Sequence, residues 1–295
     1  MLKGSIVAIV TPMKPSDLSI SYEELGDLID WHVKEGTRGI VVVGTTGESP
    51  TVSFNEHCAL IKFTVDRVAR RVPVIAGTGA NSTQEAIDLS RYAKEVGADF
   101  GLSVCPYYNK PTQDGLYKHF KVIAETVDLP QILYNVPGRT VADISNDTVV
   151  KLSEITNIIG LKDATADLER ASDLLGRVKE DFAIYSGDDG TALALMMLGG
   201  HGIISVTANI VPKMVSEMCD LTLENINLRG ARRINQQLVE LNRALFLEAN
   251  PIPVKWALWA MGRISSGIRL PLTSMSSQLE AGMRSAMIEA GLDIK

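Results

Sequence analysis

Lys162 stands at the end of a short apolar run, residues 158–161, and is the side chain in this chain best suited to nucleophilic chemistry. The run has the length and composition of a buried strand, which would carry the amine to the edge of a nonpolar interior. Loss of hydration favours the neutral form of an amine, and a neutral amine can attack a carbonyl carbon. The alternative is an ordinary solvated lysine at the point where a strand stops. The side chains that surround Lys162 decide between the two.

Hydroxyl and phenol groups follow two other apolar runs. Thr45 and Thr46 lie between glycines, where hydroxyl and backbone N–H groups can hold a small anion such as a carboxylate. Taken alone, that stretch fits a plain glycine turn equally well. Tyr107 and Tyr108 lie between two prolines in a chain that is only 5% aromatic. They serve either as loop packing or as phenols held for proton transfer.

A phenol and a guanidinium, Tyr134 and Arg139, lie five positions apart where a further apolar run ends in a Pro-Gly loop. A phenol can relay protons, and a guanidinium can hold a carboxylate through two hydrogen bonds. The alternative is a core tyrosine beside a surface arginine. Because both residues follow a strand-like run, as Lys162 does, we interpret them as parts of one site.

Eight runs rich in Val and Ile have helical patterns between them, at residues 5–10, 39–43, 74–77, 100–104, 131–135, 158–162, 182–186 and 202–205. Their continuous hydrophobicity is typical of parallel strands covered on both faces. Three Ser-x-x-Glu patterns, beginning at Ser21, Ser53 and Ser82, predict capping boxes at helix starts about thirty residues apart. The pattern predicts an α/β fold of the (β/α)8 TIM-barrel type, with a doubly wound open sheet as the alternative.

Helical spacing without strands marks the end of the chain, over 226–248, 253–261 and 277–290. We therefore predict a barrel domain over residues 1–224 and a C-terminal helical domain over 225–295. No low-complexity linker precedes these helices, so we expect them to pack on the barrel.

Composition argues against several classes of function. The chain has 295 residues, is 45% hydrophobic and carries a net charge of −6, which disfavours a nucleic-acid surface. The charge-free segment 191–211 is interrupted by glycines, which favours a buried helix, turn and strand over a membrane span. The first apolar run is too short for a signal peptide, and three scattered cysteines predict a reducing compartment, so we expect a cytoplasmic protein.

Cofactor motifs are incomplete. Gly77 and Gly79 begin a dinucleotide-like pattern whose third glycine is missing. The four histidines lack metal-ligand spacing, and Asp188 and Asp189 follow the seventh run, where they would repel a phosphate. Cys105 lacks an adjacent His partner. We therefore predict no cofactor, no catalytic metal and a non-phosphorylated substrate.

These motifs together resemble the dihydrodipicolinate synthase family of Schiff-base (class I) aldolases over nearly the whole chain, including Asn250-Pro251-Ile252-Pro253-Val254-Lys255. The resemblance implies that Lys162 forms a Schiff base with pyruvate, whose enamine adds to aspartate semialdehyde in lysine (diaminopimelate) biosynthesis. It implies that Thr45, Tyr134 and Tyr108 form a proton relay. It also implies that Thr46, Gly187 and Ile204 bind pyruvate, and that Arg139 binds the second substrate.

The same resemblance implies a homotetramer built from tight dimers, with Tyr108 reaching into a neighbouring subunit. It also implies an allosteric L-lysine site, matched by Ser49, Pro50, Phe54, His57, Asn81, Glu85 and Tyr107. Lysine-sensitive relatives often carry alanine and histidine in place of Pro50 and Phe54. The competing functions are a related pyruvate-dependent aldolase, such as N-acetylneuraminate lyase, and a non-catalytic barrel that binds a keto acid. Arg139 argues against the first, and covalent capture of pyruvate would exclude the second.

Overall fold

The computed structural model describes residues 1–294 and forms a closed eight-stranded parallel barrel in which each strand pairs with its sequence neighbours and β8 pairs with β1. The strands are β1 Gly4–Ala8, β2 Gly39–Val42, β3 Val74–Gly77, β4 Phe100–Val104, β5 Gln131–Asn135, β6 Ile158–Asp163, β7 Ala183–Ser186 and β8 Gly202–Ser205. The predicted (β/α)8 fold is confirmed. Predicted and observed strand ends differ by at most two residues.

Helices alternate with the strands around the barrel, and three more follow it. They are α1 Tyr22–Lys34, α2 Phe54–Val68, α3 Thr83–Val96, α4 Gln113–Thr126, α5 Pro137–Thr140, α6 Asn146–Ser153, α7 Leu168–Leu175, α8 Ala192–Met197, α9 Pro212–Leu223, α10 Leu228–Ala244, α11 Ile252–Ala260 and α12 Ser277–Glu289. Short 3-10 turns lie at Ser49–Thr51 and Thr207–Asn209. The charge-free segment 191–211 is a buried helix, turn and strand, as predicted. No helix within residues 1–294 has the length and apolar character needed to cross a bilayer.

The C-terminal helices share an apolar core with the barrel. One buried cluster runs from Val7 and Ile40 in the strands to Leu238 on α10 and Met287 on α12. Because this core is continuous, the helices are fixed relative to the barrel, and the segment between α10 and α11 is held against the loops at the carboxyl ends of the strands.

Only one of the three predicted capping boxes is complete. The Ser53 hydroxyl accepts from the Glu56 N–H, and the Ser53 N–H donates to the Glu56 carboxylate at 2.8 Å. The box predicted at Ser21 is wrong, because the carboxylate of Glu24 instead accepts two hydrogen bonds from Ser265, at 2.5 and 2.9 Å. At Ser82 only half of the box forms: its hydroxyl accepts from the N–H three residues on, and no return bond is made.

Candidate active site

Lys162 lies at the carboxyl end of β6 and is 5% exposed. Its neighbours across the sheet are Tyr134 on β5 and Tyr185 on β7. The Lys162 Nζ lies 4.3 Å from the centroid of the Tyr134 ring. The structure thus places the amine inside the barrel mouth against an aromatic face, and the alternative of a solvated strand-end lysine is excluded.

Gly187 directly follows β7, and Ile204 lies on β8, the next two strands around the barrel. A Cβ at Gly187 would lie 3.0 Å from Lys162 Cε and 2.8 Å from the Cβ of Ala164, closer than carbon atoms pack. Ile204 is fully buried on β8. The absence of a side chain at Gly187 therefore leaves the room that the Lys162 side chain occupies.

Thr45 and Thr46 lie in the tight turn after β2, where Thr46 is buried and Thr45 is half-buried. The turn packs directly on β3, because a Cβ at Gly77 would lie 2.3 Å from the Val43 carbonyl oxygen. A Cβ at Gly79 would likewise lie 2.2 Å from the backbone nitrogen of Val104. The Gly-x-Gly pattern that begins at the last residue of β3 thus allows close approach of the neighbouring backbone.

Arg139 extends from the one-turn helix α5, in the segment expected to be a plain Pro-Gly loop. Its Nη2 donates to the backbone carbonyl of Asn250 at 3.1 Å. The side-chain amide of Asn250 in turn donates to the Thr46 hydroxyl at 3.0 Å. Sequence reasoning assigned no role to Asn250. The signal that could have identified Asn250 is the motif 250–255, because it lies in a helical segment with no other predicted site residue.

Glu48 and Lys255 form a second structural link that sequence reasoning missed. Glu48 is 1% exposed, has a left-handed backbone conformation with φ 58°, and its carboxylate accepts from the Lys255 ammonium. Burial lowers the pKa of Lys255, while Glu48 opposes that effect. A single charge in the apolar helix α11 was the available signal. The pair anchors the Thr45–Thr46 turn to the C-terminal helices.

Tyr108 is 88% exposed, with a left-handed φ of 73°. The loop that carries it is fixed by two hydrogen bonds: the Asn81 amide donates to the Tyr107 carbonyl at 3.2 Å, and the Asn109 amide donates to the Asn81 carbonyl at 2.8 Å. Burial and the nearby Glu85 raise the pKa of Tyr107. The loop thus presents one phenol outward from a rigid base.

Three of the residues matched to a lysine site are in mutual proximity. Asn81, Glu85 and Tyr107 lie close together, as the contacts above show. His57 is buried on α2, and its Nε2 donates to the Gly77 carbonyl at 2.7 Å. Burial lowers the pKa of His57, so this ring offers Nδ1 as a neutral hydrogen-bonding group and does not balance charge. Ser49 is half-buried, whereas Pro50 and Phe54 are exposed.

Other polar groups near the barrel mouth have structural partners. Asp189 is buried and accepts from the Ser205 hydroxyl and the Val206 N–H, and burial raises its pKa. Asp188 accepts from the N–H and hydroxyl of Thr191 at 2.9 and 2.7 Å. Burial raises the pKa of the Cys105 thiol to about 12, which disfavours a nucleophilic thiolate.

Fold and site together define a (β/α)8 barrel of the Schiff-base aldolase class, with its lysine at the end of β6. The family model for the dihydrodipicolinate synthetase family matches residues 1–290. The 4-hydroxy-tetrahydrodipicolinate synthase of Nitrosospira multiformis is 63% identical over 293 residues, covering 99% of this chain and 97% of that protein. This chain therefore belongs to the dihydrodipicolinate synthetase family.

Solved structures agree with the sequence comparison. The chloride-inhibited dihydrodipicolinate synthase of Acinetobacter baumannii, complexed with pyruvate, is 53% identical with a TM-score of 0.96, covering 99% of both chains. A homologue from Cyanidioschyzon merolae with lysine bound is 40% identical with a TM-score of 0.95, covering 98% of both chains.

Proposed function

We propose that this chain is a 4-hydroxy-tetrahydrodipicolinate synthase, a lyase that condenses pyruvate with aspartate 4-semialdehyde. The observation that carries the proposal is the buried Lys162 amine against the Tyr134 ring at the carboxyl end of the barrel. The neighbouring Arg139 suits a second substrate that bears a carboxylate. High identity to synthases of this name over the full chain supports the same reaction.

In the proposed reaction the Lys162 amine attacks the keto carbon of pyruvate, and loss of one water leaves a Schiff base. Removal of a methyl proton converts it to an enamine. The enamine carbon then forms the new carbon–carbon bond with the aldehyde of the second substrate, and the aldehyde oxygen takes up a proton. Tyr134, Thr45 and Tyr108 carry these protons as a relay. The amine of the second substrate finally attacks the imine carbon, which closes the ring and releases Lys162.

We propose the substrate contacts that the family resemblance implies. Thr46 binds the pyruvate carboxylate, Gly187 and Ile204 line the pyruvate pocket, and Arg139 binds the carboxylate of the semialdehyde. A guanidinium at this position binds a small carboxylic acid better than it binds a polyhydroxylated sugar chain. Arg139 therefore favours aspartate semialdehyde over sialic acid as the substrate.

A neighbouring subunit supplies Tyr108 to each site, in a tetramer built as a dimer of dimers. This part of the proposal is supported by the outward position of Tyr108, which is 88% exposed and lies on a loop pinned by Asn81 and Asn109. We also propose a barrel domain over residues 1–224 with a helical domain over 225–295, and a cytoplasmic location.

L-Lysine inhibits the enzyme in this proposal, at a site formed by Ser49, His57, Asn81, Glu85 and Tyr107. Glu85 supplies the charge for an ammonium group, and the amide of Asn81 lies beside the tyrosine loop. Pro50 and Phe54 replace smaller or more polar residues, so we expect inhibition weaker than in relatives that carry alanine and histidine there.

Borohydride reduction in the presence of pyruvate tests nucleophile, substrate and mechanism together. Reduction should add one pyruvyl mass to Lys162 and abolish activity, and Lys162→Met should give no adduct. An unmodified Lys162 in the wild type would support a barrel that only binds a keto acid. Turnover of pyruvate with aspartate semialdehyde, compared with cleavage of sialic acid, separates the two aldolase functions. Cleavage alone would overturn the assignment.

A further inference from the structure

Asn250 lies between the two substrate-binding side chains of the proposed site. It is 5% exposed and belongs to the segment between α10 and α11, 204 residues from Thr46 in sequence. Its side-chain Nδ2 donates to Thr46 Oγ1 at 3.0 Å, and its backbone carbonyl accepts from Arg139 Nη2 at 3.1 Å. One residue of the C-terminal segment thus touches both groups.

The direction of the bond to Thr46 matters because a hydroxyl has a single proton. When Thr46 Oγ1 accepts from an amide N–H, its own O–H stays available as a donor. Within residues 1–294 the only hydrogen-bond partner of Thr46 Oγ1 is Asn250, so the protein offers no acceptor for that proton. A hydroxyl held in this way can donate to a carboxylate.

Asn250 Oδ1 is buried and finds no hydrogen-bond partner among residues 1–294. An unpaired buried acceptor costs free energy, and a structural amide would normally satisfy both of its ends. The Asn250 amide thus makes one hydrogen bond fewer, and the Thr46 hydroxyl keeps its proton available for donation.

We propose that Asn250 is a positioning residue for the pyruvate carboxylate: its amide holds the Thr46 hydroxyl as a hydrogen-bond donor, while its backbone carbonyl locates Arg139. This inference rests on the proposed function, in which Thr46 contacts pyruvate. It predicts that the side chain of Asn250 governs pyruvate binding and that its backbone contact with Arg139 survives side-chain substitution.

Asn250→Asp tests the direction of the bond, because it keeps the shape and replaces the donor by an acceptor. Thr46 then donates to the new carboxylate and is lost to pyruvate. We expect the pyruvate concentration that gives half-maximal borohydride-trapped adduct to rise roughly 10- to 100-fold at pH 8. The kcat at saturating pyruvate should change much less. Asn225→Asp introduces the same charge at an exposed position and should behave as wild type.

A pH series gives a readout that a merely structural role would not move. A protonated carboxyl group can donate to Thr46 as the amide does, so the defect in Asn250→Asp should shrink as the pH falls from 8 to 6, relative to wild type at each pH. Asn250→Ala, which removes the donor without adding an acceptor, should show a smaller defect that does not depend on pH.

A double-mutant cycle with Thr46→Val tests whether Asn250 acts through that hydroxyl. If it does, adding Asn250→Asp to Thr46→Val should raise the half-saturating pyruvate concentration less than twofold. Additive effects, or an unchanged half-saturating concentration in folded Asn250→Asp, would overturn the inference. Thermal unfolding of each variant detects a folding defect. If Asn250→Asp does not fold, Asn250→Ala replaces it in the comparison. Absence of any adduct in the wild type would instead refute the proposed function.

Discussion

The amine of Lys162 lies over the ring of Tyr134, 4.3 Å from its centroid, because the two residues occupy paired positions on β5 and β6. Tyr185 pairs with Lys162 from the other side, yet its hydroxyl donates to the Leu2 carbonyl at 2.7 Å. Of the two flanking phenols, Tyr185 is therefore engaged with the amino-terminal segment, whereas Tyr134 has a place in the proposed proton relay.

Tyr134→Phe keeps the ring beneath the amine and removes the hydroxyl. We expect the rate of condensation to fall by roughly 100- to 10,000-fold, the usual contribution of a positioned proton-transfer group. Steady-state kinetics measure the rate of condensation, and borohydride trapping at timed intervals measures formation of the pyruvyl adduct. Tyr185→Phe is the matched control and should retain activity; equal losses in both variants would contradict the assigned role.

Gly187→Ala should displace the Lys162 side chain, because the new methyl group would lie 3.0 Å from Lys162 Cε and 2.8 Å from Ala164 Cβ. We expect adduct formation to slow by at least about tenfold, since small displacements of a nucleophile are costly. Gly282→Ala on α12 is the control: apart from the backbone of its own helix and its chain neighbours, no atom of residues 1–294 lies within 4 Å of the added methyl, so adduct formation should be unchanged. A normal trapping rate in Gly187→Ala would remove Gly187 from the pocket wall.

Arg139→Ala should separate the two substrates. Adduct formation with pyruvate should remain intact, whereas kcat/KM for aspartate semialdehyde should fall roughly 10- to 100-fold, because a charge-assisted contact to its carboxylate is lost. Arg229→Ala, at an exposed position on α10, serves as the control. Loss of the adduct itself in Arg139→Ala would show that the guanidinium has a different role.

Lys255→Met should destabilise the protein by about 3–5 kcal/mol, because it leaves the fully buried Glu48 carboxylate without its partner. Adding Glu48→Gln should recover much of that loss, since the charge that lacked a partner is removed. Chemical denaturation measures both. The exposed pair Lys62–Asp66, at 2.7 Å, offers the comparison: Lys62→Met should cost less than about 1 kcal/mol.

Acid should destabilise the fold through buried histidines. Burial lowers the pKa of His119 from 6.5 to about 4. Between these values the unfolded chain binds a proton that the folded chain does not, so stability is full above pH 6.5 and falls as the pH drops towards 4. We expect a loss on the order of 3 kcal/mol from this residue.

His119→Gln should flatten that part of the stability curve, as followed by denaturant unfolding from pH 7 to 4. Some slope will remain, because burial also lowers the pKa of His32, to about 3. An unchanged slope in His119→Gln would mean that His119 does not titrate as its burial requires.

Most of the fold could be predicted from the order of elements along the chain. Continuous apolar runs separated by helical patterns define parallel strands covered on both faces, and eight of them close into a barrel. The position of Lys162 at the end of one run placed its amine at the reactive end of the barrel. Tyr134 and Arg139 could be added because their short-range spacing puts them at a neighbouring strand end.

Contacts between distant segments depended on the tertiary structure. Glu24 has the sequence pattern of a capping residue, but the chain brings Ser265 within hydrogen-bonding distance and the carboxylate binds there. Local spacing describes the options of a side chain within one helical turn, whereas the partner it takes depends on which remote backbone and side-chain groups the fold delivers.

The sequence alone therefore determined the barrel, the position of Lys162 at the end of a strand and the strand ends that surround it, because these follow from periodicities of a few residues. Only the tertiary structure decided that the C-terminal segment completes the site, through Asn250 with Thr46 and Arg139, and through Lys255 with Glu48. These contacts join residues more than one hundred positions apart. Their energies come from burial and hydrogen-bond direction, which exist only once the apolar core has brought the segments together.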